Sequence, residues 1–190
     1  MCIRDRYTVN QIETVESFLA TSAIGAVWSS CSPDFGTQGV IERFSQIKPK
    51  ILIITDRYYY NGKEINIIDR LPAILKKIKS IKSVLIINYP GKKNLKQKKV
   101  KGVNSFYYNK LKDSKEKKFQ FKKFDFDKEL AILYSSGTTG KPKCICHRAG
   151  GVLLQHLKEH KLHCNVKPGD NVFYFLSLIH ISEPTRLHGI

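Results

Sequence analysis

The sequence predicts an α/β protein with a largely parallel sheet flanked by helices. Short apolar or β-branched runs alternate along the chain with longer segments whose apolar residues recur at helical spacing. Strands that alternate with helices pair in parallel, because each crossover helix returns the chain to the same edge of the sheet. The chain has 190 residues, of which 42% are hydrophobic, and this is enough for one ordinary domain with a core.

The first helix and strand are predicted at residues 10–30. Asn10 is placed to cap a helix with Glu13 as its capping-box partner, and the helix is predicted to end near Gly25. Residues 26–30 form a short run typical of a buried strand, with Trp28 as a predicted core residue. The inner face of the helix is predicted to carry Val15, Phe18, Leu19, Ser22 and Ala23.

A second helix and a second strand follow. The spacing of Val40, Ile41, Phe44 and Ile47 predicts the helix, and the β-branched run at residues 51–55 predicts the strand. Asp56 follows this strand at its carboxyl end, where ligands often lie in open α/β sheets. We favour a solvated turn aspartate over a ligand-binding role for this residue.

The remaining elements are less regular. A helix is predicted over residues 65–79, disturbed by Pro72, and a strand over residues 84–88. Residues 90–128 are predicted to be a loose, lysine-rich segment, and core sequence returns at Leu130. We then predict a strand at residues 144–147, a helix at residues 151–161 and a further strand that begins at residue 172.

Residues 131–143 have the chemistry of a phosphate-binding loop. An apolar run of the size of a buried strand is followed by glycine, serine and threonine residues and two lysines. Glycine allows the backbone to approach a ligand closely, and successive exposed N–H groups in such a turn bind anions. The candidate ligands of a polyphosphate are Ser135, Ser136, Gly137, Thr138, Thr139, Gly140, Lys141 and Lys143.

This stretch is not a Walker loop. Ser135 occupies the position where that motif has glycine, and Pro142 occupies the position where it has Ser or Thr. The alternative is a glycine-rich hairpin turn without a ligand. We disfavour it because a strand, two glycines, four hydroxyl residues and two lysines occur together.

Residues 134–143 also resemble the phosphate-loop signature of the acyl-adenylate-forming superfamily of AMP-dependent synthetases and ligases. Cys144 departs from that pattern, since most members have glycine there. Residues 28–36, 60–63 and 150–160 resemble the acetoacetate-activating branch more than the branches that activate acetate or propionate. The resemblance covers residues 7–175 and implies a partial N-terminal domain of such an enzyme.

The resemblance implies an ATP-dependent acid–CoA ligase. A carboxylate, acetoacetate by the resemblance, attacks the α-phosphate of ATP to give an acyl-adenylate and pyrophosphate, and CoA then displaces AMP. Mg²⁺ bridges the phosphates, and the loop holds the β- and γ-phosphates. The adenine site, the catalytic lysine and the small C-terminal lid are expected outside the 190 residues, so the chain alone is expected to be inactive. An acetate- or propionate-activating relative, or another adenylating enzyme, stays open.

Positive charge is concentrated between Lys76 and Lys123. Seventeen lysines lie there against Asp113 and Glu116, and aromatic residues are interleaved with them. A nucleic-acid-binding module or an anionic-membrane patch is the alternative from a different class. We favour a solvated insertion, because lysine dominates over arginine, the better reader of bases. The expected partner is therefore a small carboxylate, without nucleic acid or membrane, and the oligomeric state stays open.

Both ends of the chain match translated sequencing-adapter DNA. Residues 1–6 match one strand of a common transposon-based adapter, and residues 176–186 match the opposite strand, with residues 187–190 as index sequence. We therefore predict that residues 1–6 and 176–190 are adapter-derived and lie outside the fold. Residues 7–175 are then a fragment of an N-terminal AMP-binding domain.

Cysteine and histidine residues predict neither a disulfide framework nor a metal site. The five scattered cysteines indicate reduced thiols in a cytoplasmic protein, with Cys144 and Cys146 on one face of a strand. His147 either lines a nucleotide pocket or is a strand-end residue. A helix surface is expected for His156, His160 and His163, and no apolar run reaches the ~20 residues of a membrane span.

Overall fold

A computed structural model of the chain describes residues 3–90, 100–112, 119–135, 140 and 142–172. Five helices in this part of the chain are α1 (Ile12–Ala23), α2 (Thr37–Ile47), α3 (Leu71–Lys77), α4 (Tyr108–Lys112) and α5 (Ala149–Lys158). A 3₁₀ turn at Ile68–Arg70 precedes α3, and a π-helical turn at Glu159–His163 continues α5. The strands are β1 (Ile3–Tyr7), β2 (Val27–Cys31), β3 (Ile51–Thr55), β4 (Arg57–Tyr60), β5 (Lys63–Asn66), β6 (Ser83–Ile87), β7 (Asn104–Tyr107), β8 (Glu129–Ser135) and β9 (Lys143–Arg148).

Seven of these strands form one sheet, in the order β7-β6-β3-β1-β2-β8-β9. Every neighbouring pair is parallel except β8 with β9, which is antiparallel. The largely parallel α/β sheet predicted from the sequence is therefore confirmed. Four predicted strands are confirmed with ends that differ by no more than one residue, namely those at residues 26–30, 51–55, 84–88 and 144–147. Helix α2, predicted from its apolar spacing, is confirmed as well.

The larger core cluster lies between the sheet and helices α2 and α3. Tyr7 of β1, Leu52 and Ile54 of β3, Phe44 of α2 and Ile74 of α3 are fully buried there. The smaller cluster contains Trp28, which is 5% exposed and packs edge-to-face on Phe18 with ring centroids 5.5 Å apart. Trp28 is therefore a core residue, as predicted. Burying each large apolar side chain contributes about 1.5–3 kcal/mol to stability.

The first helix differs from the prediction in its cap and in its buried face. Its N-cap is Gln11 rather than Asn10, and no side chain caps it. The residues it buries are Thr14, Ser17 and Thr21, whereas the predicted inner residues Val15 and Leu19 are 57% and 58% exposed. The hydroxyls can be buried because helix carbonyls accept their hydrogen bonds: Ser17 Oγ donates to Glu13 O at 2.6 Å, and Thr21 Oγ1 donates to Ser17 O at 2.7 Å.

The helix predicted over residues 65–79 is wrong in its first part. Strands β4 and β5 form a two-stranded antiparallel hairpin, and helix α3 begins only at Leu71, with Pro72 in its first turn. The turn of the hairpin is Asn61-Gly62, with φ values of +48° and +74°. Asn-Gly is the strongest short signal for this hairpin turn, and the prediction overlooked it.

The described part of the lysine-rich segment contains regular structure that was not predicted. Strand β7 pairs in parallel with β6 at the sheet edge, and α4 follows it directly. Residues 119–125 have no regular structure, but Phe124 and the following Phe126 pack against two glycines. A Cβ atom built on Gly25 would lie 2.4 Å from the Phe124 ring, and one built on Gly150 would lie 2.3 Å from the Phe126 ring. The two phenylalanine rings therefore pack directly against the glycine backbone, where any larger side chain would clash with them.

The prediction that residues 1–6 lie outside the fold is wrong for residues 3–6. Strand β1 lies between β2 and β3, so its backbone completes two parallel ladders. The facing edges of β2 and β3 carry backbone N–H and C=O groups that can pair with any extended peptide placed between them, whatever its side chains. The side chain of Arg6 is less well accommodated: it is 8% exposed, and its Nε and Nη2 have no partner among the described residues. Residues 1–2 and 176–190 lie outside the described residues, so the adapter origin stays a prediction.

Candidate phosphate-binding site

The predicted phosphate loop connects the antiparallel strands β8 and β9. Ser135 ends β8, Lys143 begins β9, and the two residues are paired across the ladder. The loop is therefore the tip of a hairpin, and no helix begins at its exit. Of the eight predicted ligands, Ser135, Gly140 and Lys143 are described. The other five lie outside the described residues, and their placement stays a prediction.

Gly140 shows why glycine is needed in this loop. Its φ is +121°, in the region that side chains avoid. A Cβ atom at this position would have no neighbour within 4 Å among the described residues. Lys143 is exposed close by in sequence. A glycine backbone beside an exposed lysine fits the phosphates of a nucleotide, and Ser135 adds a hydroxyl donor.

The strand that enters the loop is fixed by Tyr134, which is 4% exposed. Its hydroxyl accepts a hydrogen bond from Ser29 Oγ of β2 at 3.0 Å. Its ring lies 6.4 Å from the ring of Phe44, and the guanidinium carbon of Arg43 lies 6.0 Å from its centre. Both of these residues belong to α2, so this helix supports the entrance of the loop.

Helix α2 also contacts the strand that leaves the loop. Gln46 Nε2 donates to the carbonyl oxygen of Pro142 at 3.0 Å and to that of Glu42 at 3.0 Å. The thiol of Cys144 donates to Gln46 Oε1 across 3.6 Å. The sequence analysis did not single out Gln46, because a glutamine in the last turn of a helix shows no pattern that points 96 residues along the chain.

A second cluster shapes the turn that follows β2, within the stretch at residues 28–36. Arg70 Nη1 donates to the carbonyl oxygens of Phe35 at 3.0 Å and Pro33 at 3.2 Å, and also to the hydroxyl of Tyr7. Arg43 stacks on Phe35 with its guanidinium carbon 4.0 Å from the ring centre. This turn is thereby joined to α2, the helix that also supports the phosphate loop.

Asp56 is not the solvated turn residue we favoured. It is 2% exposed, and its carboxylate accepts hydrogen bonds from the Tyr89 backbone N–H at 2.8 Å and from Asn88 Nδ2 at 3.2 Å. Arg57 forms an ion pair with it at 3.3 Å and a second one with Glu64 at 3.2 Å. The cause is the pairing of β3 with β6, which brings these groups together at one sheet edge. Asp56 therefore joins the ends of two strands.

A cavity of about 1060 Å³ lies beside Asp56, between α3 and β7. Its lining includes Lys76, Lys79, Lys82 and Lys101 from the lysine-rich part of the chain. The cavity lies on the far side of β3 from β8 and β9 in the strand order. It is therefore separate from the phosphate loop.

Apart from His147, the described cysteines and histidines after residue 143 lie on exposed surface. Cys144 and Cys146 are both in β9 two residues apart, which places them on one face, as predicted. Partial desolvation and the nearby Glu129 carboxylate raise the pKa of the Cys146 thiol, which disfavours its thiolate form. His147 is half-buried within β9, and the rings of His156 and His160 are 6.4 Å apart. Among the described residues, no three His, Cys, Asp or Glu side chains form a metal site.

No helix in the described ranges is long and apolar enough to span a membrane.

Comparison with protein families gives one match that extends over most of the chain. The model of the family described as AMP-binding enzyme matches residues 7–187. This match begins at the boundary we drew at Tyr7 and reaches past the boundary we drew at residue 175.

Individual relatives match the same part of the chain. An acetoacetyl-coenzyme A synthetase of Rhizobium meliloti (strain 1021) is 44% identical over 173 residues, which are 87% of this chain and 25% of the relative. An acetoacetyl-CoA synthetase of Gallus gallus is 42% identical over 174 residues, 89% of this chain and 26% of the relative. The chain therefore spans about a quarter of the length of the curated relatives it matches.

A solved structure shows the same fold. The acetoacetyl-CoA synthetase from Streptomyces lividans superposes with a TM-score of 0.78 at 35% identity, covering 89% of this chain and 25% of that one. The sheet order and the β8–β9 hairpin described above are thus placed in a known architecture.

Proposed function

The chain belongs to the AMP-binding enzyme family, and on that premise we propose that it is part of an ATP-dependent acid–CoA ligase that activates acetoacetate. Residues 7–175 then form part of its N-terminal domain. Identities of 42% and 44% to two acetoacetyl-CoA synthetases support this choice of substrate over acetate or propionate. A cytoplasmic location belongs to the same proposal, because ATP and CoA are cytoplasmic reactants.

The hairpin between β8 and β9 is the observation on which this proposal depends. It presents a glycine with φ of +121° and an exposed lysine at the start of the exit strand. The loop sequence between the two strands, residues 136–142, contains one serine, two threonines and two glycines. These are the groups that surround a polyphosphate without a helix N-terminus.

In this function the loop binds and orients the β- and γ-phosphates of ATP. Mg²⁺, when bound, neutralises phosphate charge, and CoA supplies the thiol that accepts the acyl group. Lys143 then faces negative charge that grows as pyrophosphate separates, and a preorganised cation stabilises such charge. Ser135 and the backbone around Gly140 hold the leaving group in place, which favours attack at the α-phosphate through orientation.

The test measures two half-reactions on the full-length protein. We expect Lys143→Ala to slow pyrophosphate release from ATP and acetoacetate by about 10²–10³-fold, the loss typical of one preorganised donor. Thioester formation from supplied acetoacetyl-adenylate and CoA should change little, because no triphosphate is bound in that step. The control is Lys158→Ala, which removes a lysine from an exposed ion pair with Glu159 on α5.

Two results would contradict the proposal. Equal damage to both half-reactions by Lys143→Ala would make the loop structural rather than phosphate-binding. Faster pyrophosphate release with acetate or propionate than with acetoacetate would assign the enzyme to another substrate.

A further inference from the structure

Gln46 hydrogen-bonds to the residues on either side of Lys143, through the backbone of Pro142 and the side chain of Cys144. Its amide nitrogen donates to the Pro142 carbonyl at 3.0 Å, and its amide oxygen accepts from the Cys144 thiol across 3.6 Å. These are the residues directly before and after the lysine. A single side chain from α2 thus brackets the residue that begins the exit strand.

The start of the exit strand is held by its ladder with β8 and by Gln46. In the sheet order β9 is the last strand, so β8 is its only ladder partner among the described residues. Lys143 and Cys144 are exposed, whereas Pro142 is buried. A buried carbonyl needs a hydrogen-bond donor, and Gln46 provides it.

The same helix fixes the entrance of the loop by a different means. Phe44 packs near Tyr134 in the core, with ring centroids 6.4 Å apart. Helix α2 therefore touches the loop's entrance strand through aromatic packing and its exit strand through the Gln46 amide. The entrance is fixed by buried side chains, whereas the exit is held by its ladder with β8 and by the Gln46 amide.

We propose that Gln46 is a positioning residue that sets the place of Lys143 and hence the affinity of the loop for the nucleotide phosphates. This inference rests on the proposed function. Cys144 takes part in it. The superfamily pattern has glycine at that position, so the thiol contact is a feature of this chain that the phosphate-loop signature does not contain.

The test uses two variants of the full-length protein that keep the shape of the side chain. Gln46→Met cannot hydrogen-bond, and Gln46→Glu cannot donate to the Pro142 carbonyl and adds negative charge beside the loop. We expect Gln46→Met to raise the KM for MgATP in pyrophosphate release by about three- to tenfold, the effect of one neutral hydrogen bond. Gln46→Glu should raise it further, and thioester formation from supplied acyl-adenylate should be unchanged.

The matched control is Gln38→Met. Gln38 lies on the same helix, and its amide donates to the Glu42 carboxylate at 3.0 Å on the exposed surface. We expect this variant to match the wild type in both half-reactions. A KM for MgATP that is equal in the Gln46 and Gln38 variants would overturn the inference.

A second measurement separates this inference from the proposed function. Amide hydrogen exchange of the peptide covering residues 140–146 should be faster in Gln46→Met than in the wild type or in Gln38→Met. Unchanged exchange would overturn the positioning role whatever the activity. Faster exchange in Gln46→Met, together with a wild-type protein that releases no pyrophosphate from ATP and acetoacetate, would keep the positioning role and reject the proposed reaction.

Discussion

Two buried arginines in this fold allow opposite predictions about stability. Arg6 of β1 is 8% exposed, and its Nε and Nη2 have no hydrogen-bond partner among the described residues. Arg57 is 7% exposed but forms ion pairs with Asp56 and Glu64. Replacing the first should stabilise the chain, and replacing the second should destabilise it.

The magnitude for Arg6 follows from its pKa. Burial lowers the pKa of the Arg6 guanidinium to about 10. One pKa unit corresponds to about 1.4 kcal/mol, so holding this cation in the fold costs about 3 kcal/mol relative to an arginine with its ordinary pKa. Because the pKa is lower in the folded state, the cost is fully present below pH 10 and fades as the pH rises towards the ordinary pKa of arginine. Arg6→Met keeps most of the volume and removes the charge, so it should raise the free energy of unfolding by about 3 kcal/mol at pH 7.5.

The control change is Arg57→Met. It leaves the buried Asp56 carboxylate without its cation, and breaking such a pair typically costs about 3–5 kcal/mol. Urea unfolding of the chain at low protein concentration, followed by the fluorescence of its single tryptophan, Trp28, measures both effects. A lower or unchanged urea midpoint for Arg6→Met would refute the reasoning and show that Arg6 has a partner that stabilises its charge.

Two further predictions concern the surface. Replacing with glutamine five lysines of the lysine-rich segment, all outside the described residues, should leave the turnover of the full-length enzyme nearly unchanged if the segment is a solvated insertion, because substitutions on a solvated surface usually fall within about ±0.5 kcal/mol each; a large rise in the KM for CoA would instead assign these lysines to its phosphates. The 190-residue chain alone should aggregate, because Leu153, Leu154 and Leu157 of α5 are 68%, 59% and 55% exposed. The double change Leu153→Gln, Leu157→Gln should raise its soluble yield in a centrifugation assay, and an equal yield would exclude this surface as the cause. The five lysines to be replaced in the first of these two predictions are Lys92, Lys93, Lys96, Lys98 and Lys99.

The sequence predicted best the elements whose pattern is satisfied locally. The β-branched run of β3 and the spacing of Val40 and Phe44 in α2 specify a strand and a helix whatever else surrounds them. The candidate phosphate loop was singled out because glycine, hydroxyl and lysine residues have few other reasons to occur in that order, and its role stays a prediction. Its hairpin geometry was not predicted, since the direction of β9 depends on pairing and not on composition.

Two of the errors share a physical cause, which is that local sequence does not say what a residue packs against. The apolar stripe of α1 exists, but Ile12, Val15 and Leu19 are 57–73% exposed. Likewise, Asp56 looked solvated because its partners, Asn88 and Tyr89, directly follow strand β6 and lie 32 and 33 residues later in the chain. Contacts of this kind appear only when the sheet order is known.

The pairing of β2 with β8 sets an unusual condition on the lysine-rich segment. This pairing joins Trp28 to Ala131 and closes a loop of about 100 residues that contains the whole segment. The entropy of closing a flexible loop grows only with the logarithm of its length, so doubling the connection between α4 and β8 would cost only about 0.6 kcal/mol. The length of this connection has little effect on the stability of the sheet. Selection on the fold gives no reason to keep it short, and relatives can differ in length there without disturbing the strands that carry the phosphate loop.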